Sequence, residues 1–122
     1  MKSRLIYVEL KTGFSENGPA WIGMGYDSKT GRTTYFDGRT LTKAIGTSGN
    51  FMDIDSRDEY WVSGVKKNGM DRHHAGGGKI KIDRTVIKSY LTLRNLQELP
   101  MSQFEIAELD NSLLKTDILK EQ

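Results

Sequence analysis

Residues 20–36 alternate, turn and alternate again, and no other stretch of this 122-residue chain limits its fold so tightly. Ala20, Ile22, Met24 and Tyr26 fall on one side of an extended backbone, and Trp21, Gly23 and Gly25 fall on the other. Asp27-Ser28-Lys29-Thr30-Gly31 has the composition of a tight turn, and Arg32 to Phe36 restores β-branched and aromatic residues. The two runs therefore predict a β-hairpin. Glycines on one face leave the backbone open to a crossing strand or an aromatic ring, and Trp21 shares that face.

The same grammar continues on both sides. Residues 4–11 are rich in Ile, Tyr, Val and Leu and predict a strand with much of its surface covered. Residues 12–19 read as a loop, with Ser15, Asn17, Gly18 and Pro19 as turn residues. Asp37-Gly38 ends the second hairpin strand. Residues 40–45 predict another strand, 46–50 a loop, and 52–55 a weakly alternating run before Ser56-Arg57-Asp58-Glu59 turns the chain. Short strands separated by turns argue for antiparallel pairing, because a parallel sheet needs a helix between strands.

Helical spacing appears only late. Asp83 is placed to cap a short helix over residues 84–91, where Val86, Ile87, Tyr90 and Leu91 recur on one face. After Pro100, Ser102-Gln103-Phe104-Glu105 has the spacing of a capping box, so a second helix is expected to start there. Leu113, Leu114, Ile118 and Leu119 extend the helical pattern. The predicted architecture is mainly β: a small antiparallel barrel or strongly bent sheet, Src-homology-3-like, with a short helix after the last strand and a helical C-terminal tail. Residues 1–94 form the β-rich domain, and residues 95–122 form a tail that packs on it or serves a homo-oligomer.

A hydrophobic fraction of 36% with eleven aromatic residues suits a polar but foldable chain of one domain. No apolar run approaches the roughly 20 residues that span a bilayer. The N-terminal MKSRLIYVELK lacks the apolar stretch of a secretory signal, so the expected address is cytoplasmic, with no membrane partner. There is no cysteine, which excludes disulfides, thiol catalysis and thiolate-rich zinc sites. The net charge of +2 hides an asymmetry: residues up to Arg94 carry 16 basic and 10 acidic side chains, and the remainder 2 and 6. From Tyr60 onward, Lys66, Lys67, Arg72, Lys79, Lys81, Arg84, Lys88 and Arg94 face only Asp71 and Asp83 within the first part. Clusters of one sign attract polyanions, unless an acidic tail of the same chain folds over them.

That basic excess falls on the segment YWVSGVKKNGMDRHHAGGGKIKID, residues 60–83. It reads as a strand over 60–67, a loop, and a returning strand in which Ile80 and Ile82 point inward and Lys79 and Lys81 outward, together a hairpin. His73 and His74 sit in the loop beside Asp71 and Arg72. Neighbouring side chains on an extended chain point apart, so two adjacent imidazoles reach one ion only on a bent loop, and zinc needs three or four ligands. No metal site is expected. Gly76-Gly77-Gly78 runs into a strand rather than a helix, so the amide cluster of a nucleotide loop is missing and no cofactor is expected.

The blocks PAWIGMGYDSKTGRTTYFDGRT and YWVSGVKKNGMDRHHAGGGKI resemble those of a family of small, mostly uncharacterised bacterial proteins. The pattern PAWIG, SKTGRT and YW-SGVKK-G-DRH-G-GKI fits over roughly residues 5–91, and His74 departs from it where relatives look aromatic. The resemblance implies no activity and carries over no catalytic residue. Some members bear the label of a deoxyxylulose-phosphate synthase, but 122 residues are far too few for that thiamine enzyme and its cofactor motif is absent.

Two functional classes follow from the residues. The leading expectation is a non-enzymatic binding module for single-stranded nucleic acid or a protein. Its contacts would be Lys66, Lys67, Arg72, Lys79 and Lys81 on phosphates, with Tyr60 or Trp61 offering a ring. The alternative is a small hydrolase or nuclease-like enzyme using His73 with Asp71 and Arg72.

Overall fold

The computed structural model describes residues 2–11, 19–44, 49–69, 71 and 78–111. Six strands run as an antiparallel meander: β1 (Lys2–Lys11), β2 (Ala20–Asp27), β3 (Thr33–Phe36), β4 (Arg39–Lys43), β5 (Phe51–Asp53) and β6 (Glu59–Gly64). β6 returns to pair with β1 from Ile6↔Gly64 to Lys11↔Glu59, which closes a small barrel. The mainly β fold and the short helix near its end agree with the strand and turn pattern.

The turns form where their residues allow. Gly31 takes φ 75° as its N–H donates to the Ser28 carbonyl at 2.9 Å. Asp37 and Gly38 both sit in the left-handed region, at φ 49° and 70°, as the two-residue turn between Phe36 and Arg39 requires. Alternation then sorts each strand between two cores. Ile6, Val8, Phe36, Leu41, Phe51, Tyr60 and Val62 fill the barrel. Tyr7, Ala20 and Ile22 point outward and are covered by Ile80, Ile82, Val86, Tyr90 and Phe104 from the C-terminal third. Each fully buried side chain of this size contributes about 1.5–3 kcal/mol.

β2 is the strand on which both layers depend. Along one edge it pairs with β1 over eight residues. Its other edge is divided: Tyr26 and Asp27 pair with β3, whereas Trp21 and Ile22 pair in parallel with β7 (Ile80–Asp83). The barrel wall parts between β2 and β3, and the glycine face fills that seam. A Cβ at Gly23 would lie 3.0 Å from the Phe36 ring and 2.7 Å from a Leu109 methyl, so the absent side chain makes room for an aromatic ring, as the alternation predicts.

After β7 come a 3-10 turn (Arg84–Val86), helix α1 (Ile87–Arg94) and strand β8 (Phe104–Ala107), parallel to β7. α1 ends in a left-handed Asn95, with the Leu96 N–H on the Leu91 carbonyl (2.9 Å) and the Asn95 N–H on the Thr92 carbonyl (3.2 Å). This pair of bonds is the usual closure for a helix C-terminus. The structure thus contains a β–helix–β unit on the side of the barrel.

Two sequence expectations are corrected. The capping-box spacing at Ser102 does not start a helix, because Phe104 is drawn into the outer core, edge-on to Tyr90 at 5.3 Å, and residues 104–107 pair with β7 instead. Residues 112–122, the rest of the expected helical tail, lie outside the described residues. Nor do residues 60–83 form a hairpin. β6 pairs with β1 and β5, and β7 with β2 and β8, so β1 and β2 stand between them. The two pairings that separate β6 from β2 are antiparallel and β7 is parallel to β2, so β6 and β7 run in the same direction. Their connection is a crossover, and its fifteen residues are enough for one.

Candidate functional site

The crossover redistributes the expected basic surface. Val62, Val8, Trp21, Lys81 and Glu105 form one row across the sheet. Lys66 follows the end of β6, and three strand spacings, roughly 14 Å across the sheet, separate β6 from β7 along this row. A hairpin would have set Lys66 and Lys67 beside Lys79 and Lys81; the structure puts them at different places on the barrel. All four side chains are exposed.

Lys66 and Lys67 lie in the loop that follows β6. Gly69 adopts φ 76°, and a Cβ there would collide with the Arg94 guanidinium, so the loop after β6 lies against the end of α1. Lys88, exposed on α1, and Arg84, exposed in the 3-10 turn before it, belong to the same helical segment. Over residues 60–94 the two acidic side chains, Asp71 and Asp83, are each only 1% exposed, whereas Lys66, Lys67, Lys79, Lys81, Arg84 and Lys88 face solvent. The described surface of this segment therefore carries positive charge without local acid. Arg84 meets Glu108 at 3.4 Å in an exposed ion pair.

The two aromatic residues differ in accessibility. Tyr60 is 2% exposed, inside the barrel, with the Trp21 ring 6.4 Å away and the Arg39 guanidinium 5.8 Å from its centroid. Its ring is core and cannot stack on a base. Trp61 is half-buried against the outer core. The period-two pattern put these neighbours on opposite faces; which face was covered required the second layer, made by β7, α1 and β8.

Asp71 anchors the crossover from within. Its Oδ1 accepts the Lys66 N–H at 2.8 Å, while Oδ2 is buried with no hydrogen-bond partner among the described residues. Burial pushes its carboxyl above the usual range, and the Lys66 amide and the charges of Lys66 and Arg94 pull it back only in part. Arg94 donates to the Tyr90 hydroxyl at 3.0 Å, and its Nε is likewise buried without a partner among the described residues. Burial raises the Tyr90 phenol against the opposing pull of Arg94. This Asp71–Arg94–Tyr90 node ties the loop to the helix. Asp71 is 1% exposed and its described hydrogen bond is to the loop backbone.

A second buried polar group was missed by sequence reading. Tyr7 Oη and Lys11 Nζ both donate to the Glu9 carboxylate, the latter at 2.8 Å, with Glu9 fully buried and the Lys11 side chain 5% exposed. The signal was present in the strand: Tyr7, Glu9 and Lys11 share one face at period two. Neutralised and enclosed, the pair supports β1 without offering a substrate access. At the other end of β4, Asp53 accepts Arg39 at 3.0 Å and the Asp55 and Ser56 amides at 2.9 and 3.3 Å. Burial pushes its carboxyl up, and these donors, Asp55 first, outweigh that and hold it below the usual range.

Arg72, His73, His74, Gly76 and Gly77 lie outside the described residues. Among the described residues no three acidic or histidine side chains converge in a way that would hold a metal ion. Two depressions on the described surface are open and shallow: one of about 370 Å³ is lined by Lys43, Ala44, Asn50 and Phe51, and another of about 470 Å³ by Lys88, Ser89, Thr92 and Leu93. No helix among the described residues is long and apolar enough to cross a membrane. No protein-family model, curated protein or solved structure matches the chain.

Proposed function

We propose that the protein is a non-enzymatic binding module that engages the phosphate backbone of nucleic acid, with Lys66, Lys67 and Lys88 as the principal contacts and Lys79 and Lys81 as a separate, weaker one. The observation that carries this reading is the burial of both local acids beneath an exposed set of cations. Lys66, Lys67 and Lys88 make no ion pair among the described residues, whereas Lys81 is flanked across the sheet by Glu105. With Tyr60 enclosed, affinity would come from charge rather than from stacking, and sequence preference would be slight. A cytoplasmic address and kinship with the small bacterial family belong to the same reading, supported by the absence of cysteine and by the quoted sequence blocks.

Titration of a labelled single-stranded RNA 20-mer at several salt concentrations tests it. Binding should weaken linearly in log–log form with rising salt, with a slope of about −0.7 per phosphate neutralised. Lys66→Glu with Lys67→Glu should reduce both affinity and slope more than Lys79→Glu with Lys81→Glu. Absent or salt-independent binding would end the proposal.

A further inference from the structure

The sheet finishes at an edge whose apolar row is only partly covered. β8 is its last strand, and among the described residues nothing pairs with its outer edge. Ile22, Ile82 and Ile106 form one row across β2, β7 and β8, and exposure along it goes from 0% and 0% to 38%. The apolar layer between sheet and helix thus continues to the edge and stops at a partly open isoleucine. On the opposite face the neighbouring row is Trp21, Lys81, Glu105, alternating in charge and ending on an exposed acid. The surrounding segment, residues 95–111, has four acidic side chains and no basic one.

The backbone at this edge is directional. The Ile80 N–H donates to the Gln103 carbonyl at 2.9 Å, which sets the parallel ladder. In that ladder alternate residues bond to one side, so the N–H and C=O groups of Phe104 and Ile106 point away from β7.

From these rows we infer that the β8 edge is a docking site for an extended segment of a protein partner, added as a further strand, in which apolar residues alternate with basic ones. The apolar side chain would continue the Ile22–Ile82–Ile106 row and cover Ile106. The basic side chain would continue the charge alternation beside Glu105. The pattern required is the one that β7 itself presents to β8, Ile80-Lys81-Ile82. This site is distinct from the Lys66, Lys67 and Lys88 contacts proposed for nucleic acid and borders only the weaker one at Lys81, so it is tested separately.

The probe is a pair of capped peptides, Val-Lys-Ile-Lys-Val and its acidic counterpart Val-Glu-Ile-Glu-Val, titrated into the full chain and followed by backbone amide shifts. The basic peptide should perturb residues 104–107, and the acidic one should bind more weakly. Glu105→Lys should reverse the preference, changing the ratio of the two affinities by about three- to tenfold. Ile106→Pro removes an outward donor while sparing the bonds to β7, and it should abolish binding while lowering the thermal unfolding midpoint no more than Ile106→Ala, which keeps the donor and binds. Shifts confined to other residues, equal binding of both peptides, or no reversal in the Glu105→Lys chain would overturn the inference. So would concentration-dependent dimerisation through residues 104–107, since the occupant would then be a second copy of this chain.

Discussion

The Leu109 amide donates to the Asp83 carboxylate at 3.2 Å, joining two residues 26 positions apart and fixing the far side of the barrel seam. Asp83 was expected to cap the helix. Instead its carboxylate accepts the Thr85 hydroxyl at 2.7 Å, the Leu109 amide, and the Asn111 side-chain amide at 3.3 Å, while the Asp110 amide bonds Asp37 on the β3–β4 turn at 2.7 Å. With its backbone held from two elements, Leu109 is delivered against the barrel core.

Asp83→Ala should therefore cost roughly 1–3 kcal/mol, because three part-buried hydrogen bonds lose their acceptor. Asp83→Asn retains one acceptor oxygen and should cost less. Urea denaturation gives the ranking, and hydrogen exchange should show amides 109–111 loosened in the alanine variant before the rest of the barrel. Unchanged exchange at 109–111 would show that the carboxylate does not hold this segment.

Gly49 and Gly31 separate crowding from backbone strain. A Cβ at Gly49 would lie 2.6 Å from the Tyr60 carbonyl oxygen and 2.9 Å from its nitrogen, atoms of a paired strand that cannot turn aside. At Gly31 a Cβ meets nothing within 4 Å, but φ is 75°. Gly31→Ala should cost about 1 kcal/mol for the left-handed backbone. Gly49→Ala should cost about 2–3 kcal/mol as overpacking. Equal urea midpoints for the two variants would contradict the close approach of residue 49 to β6.

Asp71 makes a prediction about pH. Its folded-state carboxyl is raised, so its contribution to stability is fully present below the unfolded value near 3.8 and is lost as pH rises through the folded value. Once ionised, the buried carboxylate is a cost. Asp71→Asn can still accept the Lys66 N–H without burying a charge, so its stability relative to the parent chain should improve as pH rises from about 4 to 7. Denaturation curves at several pH values measure this. A parent chain that gains on the variant over that range would mean that Arg94 compensates the charge fully.

The local sequence determined most of the strands and turns of the barrel. Residues 20–36 announce a hairpin because β-branched and aromatic side chains at period two suit a half-covered sheet, and Asp37-Gly38 can supply two left-handed residues in succession. Period two assigns each side chain to a face, yet it does not name the neighbouring strand. The hydrogen-bond ladder is made by backbone groups that every residue shares, so nothing in Ile80-Lys81-Ile82 distinguishes a return beside β6 from a crossover to β2. That choice belonged to the tertiary structure, and with it went the candidate site. It enclosed Tyr60, parted Lys66 from Lys81, buried Asp71 and Asp83, and turned a capping-box sequence into the edge strand β8, because the outer core had a place for Phe104. The sequence by itself determined that residues 60–94 carry excess positive charge; only the packed sheet decided which of those charges face solvent, and in what company.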